Sequence, residues 1–120
     1  MKKRKFNIIL ITNDTKKEYN LLGEYDKEKN IIYYNESGNL ITNMIIDLNN
    51  KTLIRENKDY LIKYKLIENK ETTNEVVIKE LDKTIELKIK TDKFEITENK
   101  IEIEYTVLDS NEKVTYIINM

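Results

Sequence analysis

The feature of this sequence that most constrains its fold is an alternation of apolar and polar residues with a period of two. Ile85, Leu87 and Ile89 alternate with charged residues, and the pattern returns at Ile101 and Ile103. Because successive side chains of a β-strand point to opposite faces, this pattern predicts strands with one dry and one wet face. The runs are Phe6–Thr12, Tyr19–Tyr25, Ile31–Glu36, Leu40–Leu48, Thr52–Arg55, Tyr60–Ile67, Thr72–Lys79, Thr84–Thr91, Phe94–Thr97, Ile101–Leu108 and Val114–Ile118.

Short segments rich in turn-forming residues separate these runs. We interpret Asn49-Asn50 as a two-residue hairpin loop, since Asn tolerates the left-handed conformation that tight hairpins need. Ser37-Gly38-Asn39 and Asp109-Ser110-Asn111 are further predicted turns, and Asp82-Lys83 and Asn99-Lys100 are weaker ones. No segment shows a helical pattern long enough to serve as a crossover, so neighbouring strands are expected to pair antiparallel.

The number and spacing of the strands indicate how the sheet ends. The 120 residues fit one domain, residues 1–120, with about ten runs, some of which can be parts of one bent strand. An open sheet would expose two edges, whereas a closed meander exposes none, so we expect an all-β, antiparallel up-and-down barrel of 8–10 strands rather than a sandwich. Val114–Met120 is expected to pair with the first strand, which would close the barrel, or with a neighbouring chain.

Composition and charge exclude several classes of function. The chain has no Cys and no His, which removes disulfides, thiolate nucleophiles and the commonest metal ligand and general base. Twenty-one basic and 22 acidic residues give a net charge of −1, so nucleic acid is not an expected partner. Behind the basic cluster Lys2–Lys5, the apolar run Ile8–Ile11 is too short for a signal peptide or a membrane span. We therefore expect a cytoplasmic protein with no membrane partner, no metal and no cofactor.

A series of short motifs resembles a known family. In chain order it reads Gly23-Glu24-Tyr25, Tyr34-Asn35-Glu36, Leu53-Ile54-Arg55, Glu86-Leu87 with Thr91, and Ile103-Glu104-Tyr105. The series, which runs from about Gly23 to Ile118, resembles the YwiB-like family of small bacterial proteins, related in shape to lipocalins and other calycin barrels. The resemblance implies a calycin-like barrel and no assigned activity. The chain departs from the family where a Gly usually follows the Arg of the fifth run and where a Tyr and a Gly usually precede the eighth.

Arg55 is the residue that most suggests a binding site. It is one of only two arginines among the 21 basic residues, and it falls on the Arg position of the family. A planar guanidinium suits bidentate binding of a carboxylate or phosphate, so one hypothesis is an anion anchor inside or at the mouth of the barrel. The other is a structural ion pair, for example with Glu36, which we favour because buried arginines are nearly always paired.

Tyrosines and carboxylates supply the other candidate residues. The chain has eight Tyr against two Phe, and Tyr25, Tyr34, Tyr64 and Tyr105 either line a cavity with their hydroxyls or pack in the sheet, as Tyr on a strand usually does. The pairs Glu102 with Glu104 and Glu24 with Asp26 alternate with apolar residues and are predicted to face water. The candidate ligand-binding set is Arg55, Glu36, Tyr34, Tyr105 and Thr91.

These observations predict a binding module, without catalytic residues, for a small or anionic ligand. The alternative is an interaction protein that works through its surface, as a homodimer for instance. An enzyme without His or Cys would need a carboxylate, Lys or Tyr mechanism, and no group of residues in the sequence suggests one, so we rank this class last.

Overall fold

The computed structural model describes residues 2–36 and 41–120, and among these it contains ten β-strands. The predicted turn Ser37-Gly38-Asn39 and Leu40 lie outside the described residues. The strands are β1 (Lys2–Thr12), β2 (Thr15–Asp26), β3 (Ile31–Glu36), β4 (Thr42–Asp47), β5 (Thr52–Glu56), β6 (Tyr60–Lys65), β7 (Glu71–Ile78), β8 (Lys83–Ile96), β9 (Lys100–Val107) and β10 (Glu112–Asn119).

The strands form a closed antiparallel barrel in which each strand pairs with its neighbours in sequence. The barrel closes where β1 pairs with β10, from Asn7 opposite Asn119 to Thr12 opposite Val114. This arrangement confirms the predicted up-and-down meander, and it assigns the C-terminal run to closure of the barrel. None of the described residues belongs to a helix long and apolar enough to cross a membrane.

The predicted alternation is visible in the burial of the strands. In β9, Ile101, Ile103 and Tyr105 are buried while Glu102 and Glu104 are only partly covered and face outward. Outward charges pair across and along strands: Glu102 on β9 lies 2.7 Å from Lys93 on β8 and 2.7 Å from Lys100 on its own strand. One face of the sheet therefore makes a mainly apolar core that also contains a few polar side chains, and the other face is solvated.

The turns depend on Asn and Asp because glycine is scarce. Positive φ angles occur at Asn13, Asn30, Asn69, Asp82 and Asn111, with values from 46° to 64°. These residues adopt the left-handed conformation at lower cost than other side chains do.

The Asn49-Asn50 prediction was wrong in its detail. The connection spans residues 48–51, and the residue with positive φ is Lys51, at 55°. The Asp47 carboxylate explains the difference, since it accepts backbone hydrogen bonds from Asn49 and Asn50 at 3.1 and 2.9 Å and so holds a longer turn.

Two local features shape the interior. The runs Thr84–Thr91 and Phe94–Thr97 are one strand, β8, with an irregularity in its pairing with β9 between Thr91 and Lys93. An extra residue at such a bulge changes the phase of the alternation, so that both Thr91 and Phe94 are buried. In β2, Gly23 is buried beneath the ring of Phe6, which covers this part of the barrel.

Candidate functional site

The candidate site is a group of polar side chains inside the barrel, and Arg55 is the only cation among the buried and half-buried members that the structure describes. Arg55 points inward from β5, in a cross-strand row with Met44 on β4 and Ile62 on β6. Its Nη2 donates a hydrogen bond of 3.1 Å to Oε2 of Glu36, at the end of β3. The Glu36 side chain is 8% exposed and that of Arg55 is 23% exposed, so this is a largely buried ion pair.

The ion pair makes one of the two hydrogen bonds that a bidentate arginine–carboxylate pair would make. Nε and Nη2 form one edge of a guanidinium, and this edge can hold both oxygens of a carboxylate. Here Nη2 binds Glu36, whereas Arg55 Nε and Glu36 Oε1 are buried without a hydrogen-bond partner among the described residues. A buried donor and a buried acceptor on the two partners of one ion pair are therefore unsatisfied.

Three buried tyrosines surround this pair. Tyr34, Tyr105 and Tyr116 are each at most 4% exposed, and burial raises the pKa of each well above the ordinary value. They are therefore neutral near pH 7 and have a proton to donate. The hydroxyls of Tyr34 and Tyr116 have no hydrogen-bond partner within the described ranges.

Tyr64 lies beside one of these buried tyrosines, Tyr105. Its ring centroid lies 5.0 Å from that of Tyr105, with the planes tilted by 54°. Burial raises the pKa of Tyr64 to about 12, and the Arg55 charge opposes this rise. The cation thus lies within electrostatic reach of Tyr64 as well as of the three fully buried tyrosines.

Thr91 adds a hydroxyl next to Tyr105. The two residues are register partners on β8 and β9, and Thr91 is fully buried. Its backbone is held by the connection after β6, because Thr91 O accepts from Asn69 N at 2.8 Å and Thr91 N donates to Lys70 O at 3.2 Å. Its side-chain Oγ1 is buried and has no partner in residues 2–36 and 41–120.

Burial and neighbouring charges act in opposite directions on the two members of the pair. Burial raises the pKa of Glu36, and Arg55, Tyr116 and Lys17 only partly counter that rise. The Tyr116 hydroxyl is close enough to Glu36 to favour its charged form, although it falls short of hydrogen-bonding geometry. Burial opposes the charge of Arg55, but the ionised forms of Tyr116, Glu36, Tyr60 and Tyr105 together outweigh it, and the pKa of Arg55 is raised. Arg55 therefore stays charged, and Glu36 is the member more easily neutralised.

All five predicted ligand-binding residues lie in the interior. Arg55 and Glu36 are in direct contact, as the ion-pair hypothesis requires. Tyr34 and Tyr105 are within electrostatic reach of Arg55, and Thr91 lies beside Tyr105.

Tyr25, also considered a lining residue, is not part of this group. It is half-buried, and its hydroxyl donates to Asn30 Oδ1 at 2.8 Å. The two glutamates on β9 face outward, as predicted.

Sequence reasoning missed Tyr116, Tyr60 and Lys17. Tyr116 is fully buried on β10, between Ile103 and Leu10 in the ladders. Alternation with Val114 and Ile118 could have placed it inside, but its proximity to Glu36 depends on closure of the barrel. Tyr60 acts on the pKa of Arg55, and Lys17 on that of Glu36.

The chemistry of this group is recognition by charge and hydrogen bonds. It offers one cation, one carboxylate with a free oxygen, and the hydroxyls of Tyr34, Tyr116 and Thr91, which both donate and accept. Among the described residues, no three His, Cys, Asp or Glu side chains are arranged to hold a metal ion.

Comparison with known proteins addresses the fold. No family model matches the chain, and no curated protein does. The crystal structure of the ywiB protein from Bacillus subtilis aligns with a TM-score of 0.64, covering 96% of this chain and 89% of that chain at 15% sequence identity. The chain therefore has a YwiB-like fold.

Proposed function

We propose that this protein is a calycin-like binding module that holds a small ligand inside the barrel, with a polar or anionic group of the ligand at Arg55. The observation that supports the proposal is the set of five buried polar atoms without partners: Tyr34 Oη, Glu36 Oε1, Arg55 Nε, Thr91 Oγ1 and Tyr116 Oη. The large majority of buried side-chain polar atoms in proteins are hydrogen-bonded. Four of these atoms belong to Arg55, Glu36, Tyr34 and Tyr116, which interact electrostatically, and a bound ligand would supply partners for them.

The electrostatics of the group favour an anionic contact. Arg55 is charged and partly accessible, since 23% of its side chain remains exposed. The neutral tyrosines around it can donate hydrogen bonds to the same group without adding negative charge. A guanidinium with neutral donors in a dry environment binds a carboxylate or phosphate more strongly than it does in water.

The test is native mass spectrometry of the protein purified from its own cells, with two arginine variants. Arg55→Met removes the proposed anchor. Arg4→Met is the matched control, because Arg4 is the other arginine and contacts the Tyr25 ring, 5.7 Å away near the start of β1. We expect a small molecule bound to the wild type and to Arg4→Met but absent from Arg55→Met.

A second variant covers the case in which Arg55→Met does not fold. Tyr116→Phe removes one unpaired hydroxyl and keeps the ring, and it should weaken ligand retention. A ligand that both variants retain would contradict the proposal. A stoichiometric protein partner in place of a small molecule would instead favour the function through surface contacts.

A further inference from the structure

The Arg55–Glu36 pair restricts the charge of any ligand that binds there. One cation and one carboxylate make the pair neutral, and the Glu36 side chain is only 8% exposed. Arg55 Nε and Glu36 Oε1 are shielded from solvent, so a ligand reaches the Nε–Nη2 edge only if Glu36 moves away from it. A ligand anion in that place would leave Glu36 as a buried carboxylate without its cation, which is strongly unfavourable.

We propose that the ligand is a small carboxylic acid, bound with one proton, so that its carboxylate replaces Glu36 on Arg55 while Glu36 becomes protonated. This inference rests on the proposed function and specifies the ligand class. The exchange balances: one carboxylate and one proton from solution enter a neutral pair, and they leave Arg55 paired with the ligand and Glu36 uncharged.

The hydrogen-bond inventory matches this exchange. The two oxygens of a ligand carboxylate can accept from Nε and Nη2 of Arg55, which satisfies the donor that now lacks a partner. Protonated Glu36 becomes a donor as well as an acceptor, and it can donate to the ligand carboxylate or to a tyrosine hydroxyl. The hydroxyls of Tyr34 and Tyr116 are additional donors for the same group.

The charged and titratable groups that face Glu36 come from four strands. Arg55 on β5 is its partner, Lys17 on β2 is the other cation that acts on it, Tyr116 is on β10, and Tyr34 precedes it on β3. Lys17 is exposed to solvent, and the tyrosines are neutral. Once the ligand occupies Arg55, no buried cation remains beside Glu36 among the described residues, and burial then favours its neutral form.

Other ligand charges fit less well. A dianion such as phosphate would need a second proton to keep the interior neutral, and an amine would meet the charge of Arg55.

A carboxamide is the neutral equivalent of a carboxylate plus a proton. Its carbonyl can accept from Arg55 while its NH2 group donates to Glu36 Oε1.

The experiment measures proton uptake directly, by isothermal titration calorimetry in buffers that differ in ionisation enthalpy. The probes are benzoate and butyrate, each compared with its amide, benzamide or butyramide. We expect carboxylate binding to take up a proton, so that the dissociation constant rises between about pH 6 and about pH 8, by up to about tenfold per pH unit. Amide binding should take up no proton and stay constant over the same range.

Two variants identify the group that takes up the proton. Glu36→Gln cannot accept it, but its amide can still donate to the ligand carboxylate, so carboxylates should bind with no proton uptake and no pH dependence. Arg4→Met should behave as wild type, and Arg55→Met should lose carboxylate binding.

The outcomes separate this inference from the function on which it rests. If the carboxylates bind without proton uptake, or Glu36→Gln keeps the uptake, the inference is wrong and the binding function stands. If neither carboxylates nor amides bind, while native mass spectrometry shows a bound compound of another class, the ligand class is wrong. If no bound small molecule is found and no probe binds, the proposed function itself fails.

Discussion

Arg55 and Glu36 form their ion pair across an intervening strand. Arg55 lies on β5 and Glu36 on β3, and the whole of β4 separates them in the sheet. Glu36 is opposite Thr42 on β4, and Arg55 is opposite Met44, so the 3.1 Å contact runs diagonally over two cross-strand rows on the inner face. The pair therefore links strands that share no backbone hydrogen bond.

We expect loss of the Arg55 charge to destabilise the fold more than loss of both charges. Arg55→Met leaves Glu36 buried without a cation, which costs about 3–5 kcal/mol of unfolding free energy near pH 7. The double variant Arg55→Met, Glu36→Gln leaves no unpaired charge and should recover much of this loss. Urea unfolding, followed by circular dichroism, measures the difference. Arg4→Met, the matched control, should change stability by less than about 1 kcal/mol. A double variant no more stable than Arg55→Met would show that lost packing, and not an unpaired charge, is responsible.

The pKa of Glu36 predicts how stability changes with pH. Burial raises this pKa above the ordinary value of 4.5, so the folded protein holds the Glu36 proton more tightly than the unfolded chain does. The stabilisation from this group is fully present below the unfolded pKa, and it is lost as the pH rises through the higher folded pKa. Glu36→Gln lacks this pH-dependent contribution to stability, because its amide does not titrate. The stability of Glu36→Gln relative to wild type should therefore increase as the pH rises from about 4 to about 7. Urea unfolding at intervals over this range tests the sign, and an opposite slope would mean that Arg55 lowers the pKa of Glu36 below its unfolded value.

Removal of the unpaired Tyr116 hydroxyl should weaken ligand binding while having little effect on the stability of the ligand-free protein. Because this buried hydroxyl has no hydrogen-bond partner in the described part of the chain but lies close enough to Glu36 to favour its charged form, Tyr116→Phe should change the stability of the ligand-free protein by less than about 1 kcal/mol in either direction. Tyr25→Phe is the comparison: it breaks the 2.8 Å bond to Asn30 and should cost about 1 kcal/mol. Thermal unfolding with and without a carboxylate probe gives both quantities. If Tyr116→Phe loses as much stability as Tyr25→Phe, the Tyr116 hydroxyl has a partner in solution.

Local patterns in the sequence predicted the barrel because strand alternation is a local property. The alternation within β10 alone predicts that Val114, Tyr116 and Ile118 face inward, without information from the rest of the chain. The sequence left open whether the two runs of β8 are one bent strand, because the bulge between Thr91 and Lys93 shifts the phase of the alternation. In the sequence alone, a shift in the alternation of apolar and polar residues is explained equally well by a bulge within one strand and by a break between two strands.

The candidate site was predicted only in part because its contacts are not local. The Arg55–Glu36 pair was one of two stated hypotheses, since a rare arginine among lysines and its expected burial point to a partner. The role of Tyr116 was missed, because 60 or more residues separate it from Arg55 and Glu36 and only closure of the barrel brings them together. The sequence could not predict that Arg55 binds Glu36 through Nη2 and leaves Nε without a partner, because this depends on the orientation of the two side chains.

Gly23 offers a test of how the wall of the barrel is built. A Cβ atom at this position would lie 2.7 Å from the Tyr33 carbonyl oxygen on β3, and nearer still to the ring of Phe6. The ring can shift but the backbone oxygen is held in the sheet, so we expect Gly23→Ala to cost about 1–3 kcal/mol, as overpacking of a core does. Leu22→Ala is the control on the same strand, because Leu22 is 64% exposed, and it should be nearly neutral. In a Phe6→Leu background the cost of Gly23→Ala should fall without vanishing, since the Tyr33 oxygen stays in place. Urea unfolding of the four variants measures this coupling, and an unchanged cost in the Phe6→Leu background would mean that the β3 backbone alone excludes a side chain at Gly23.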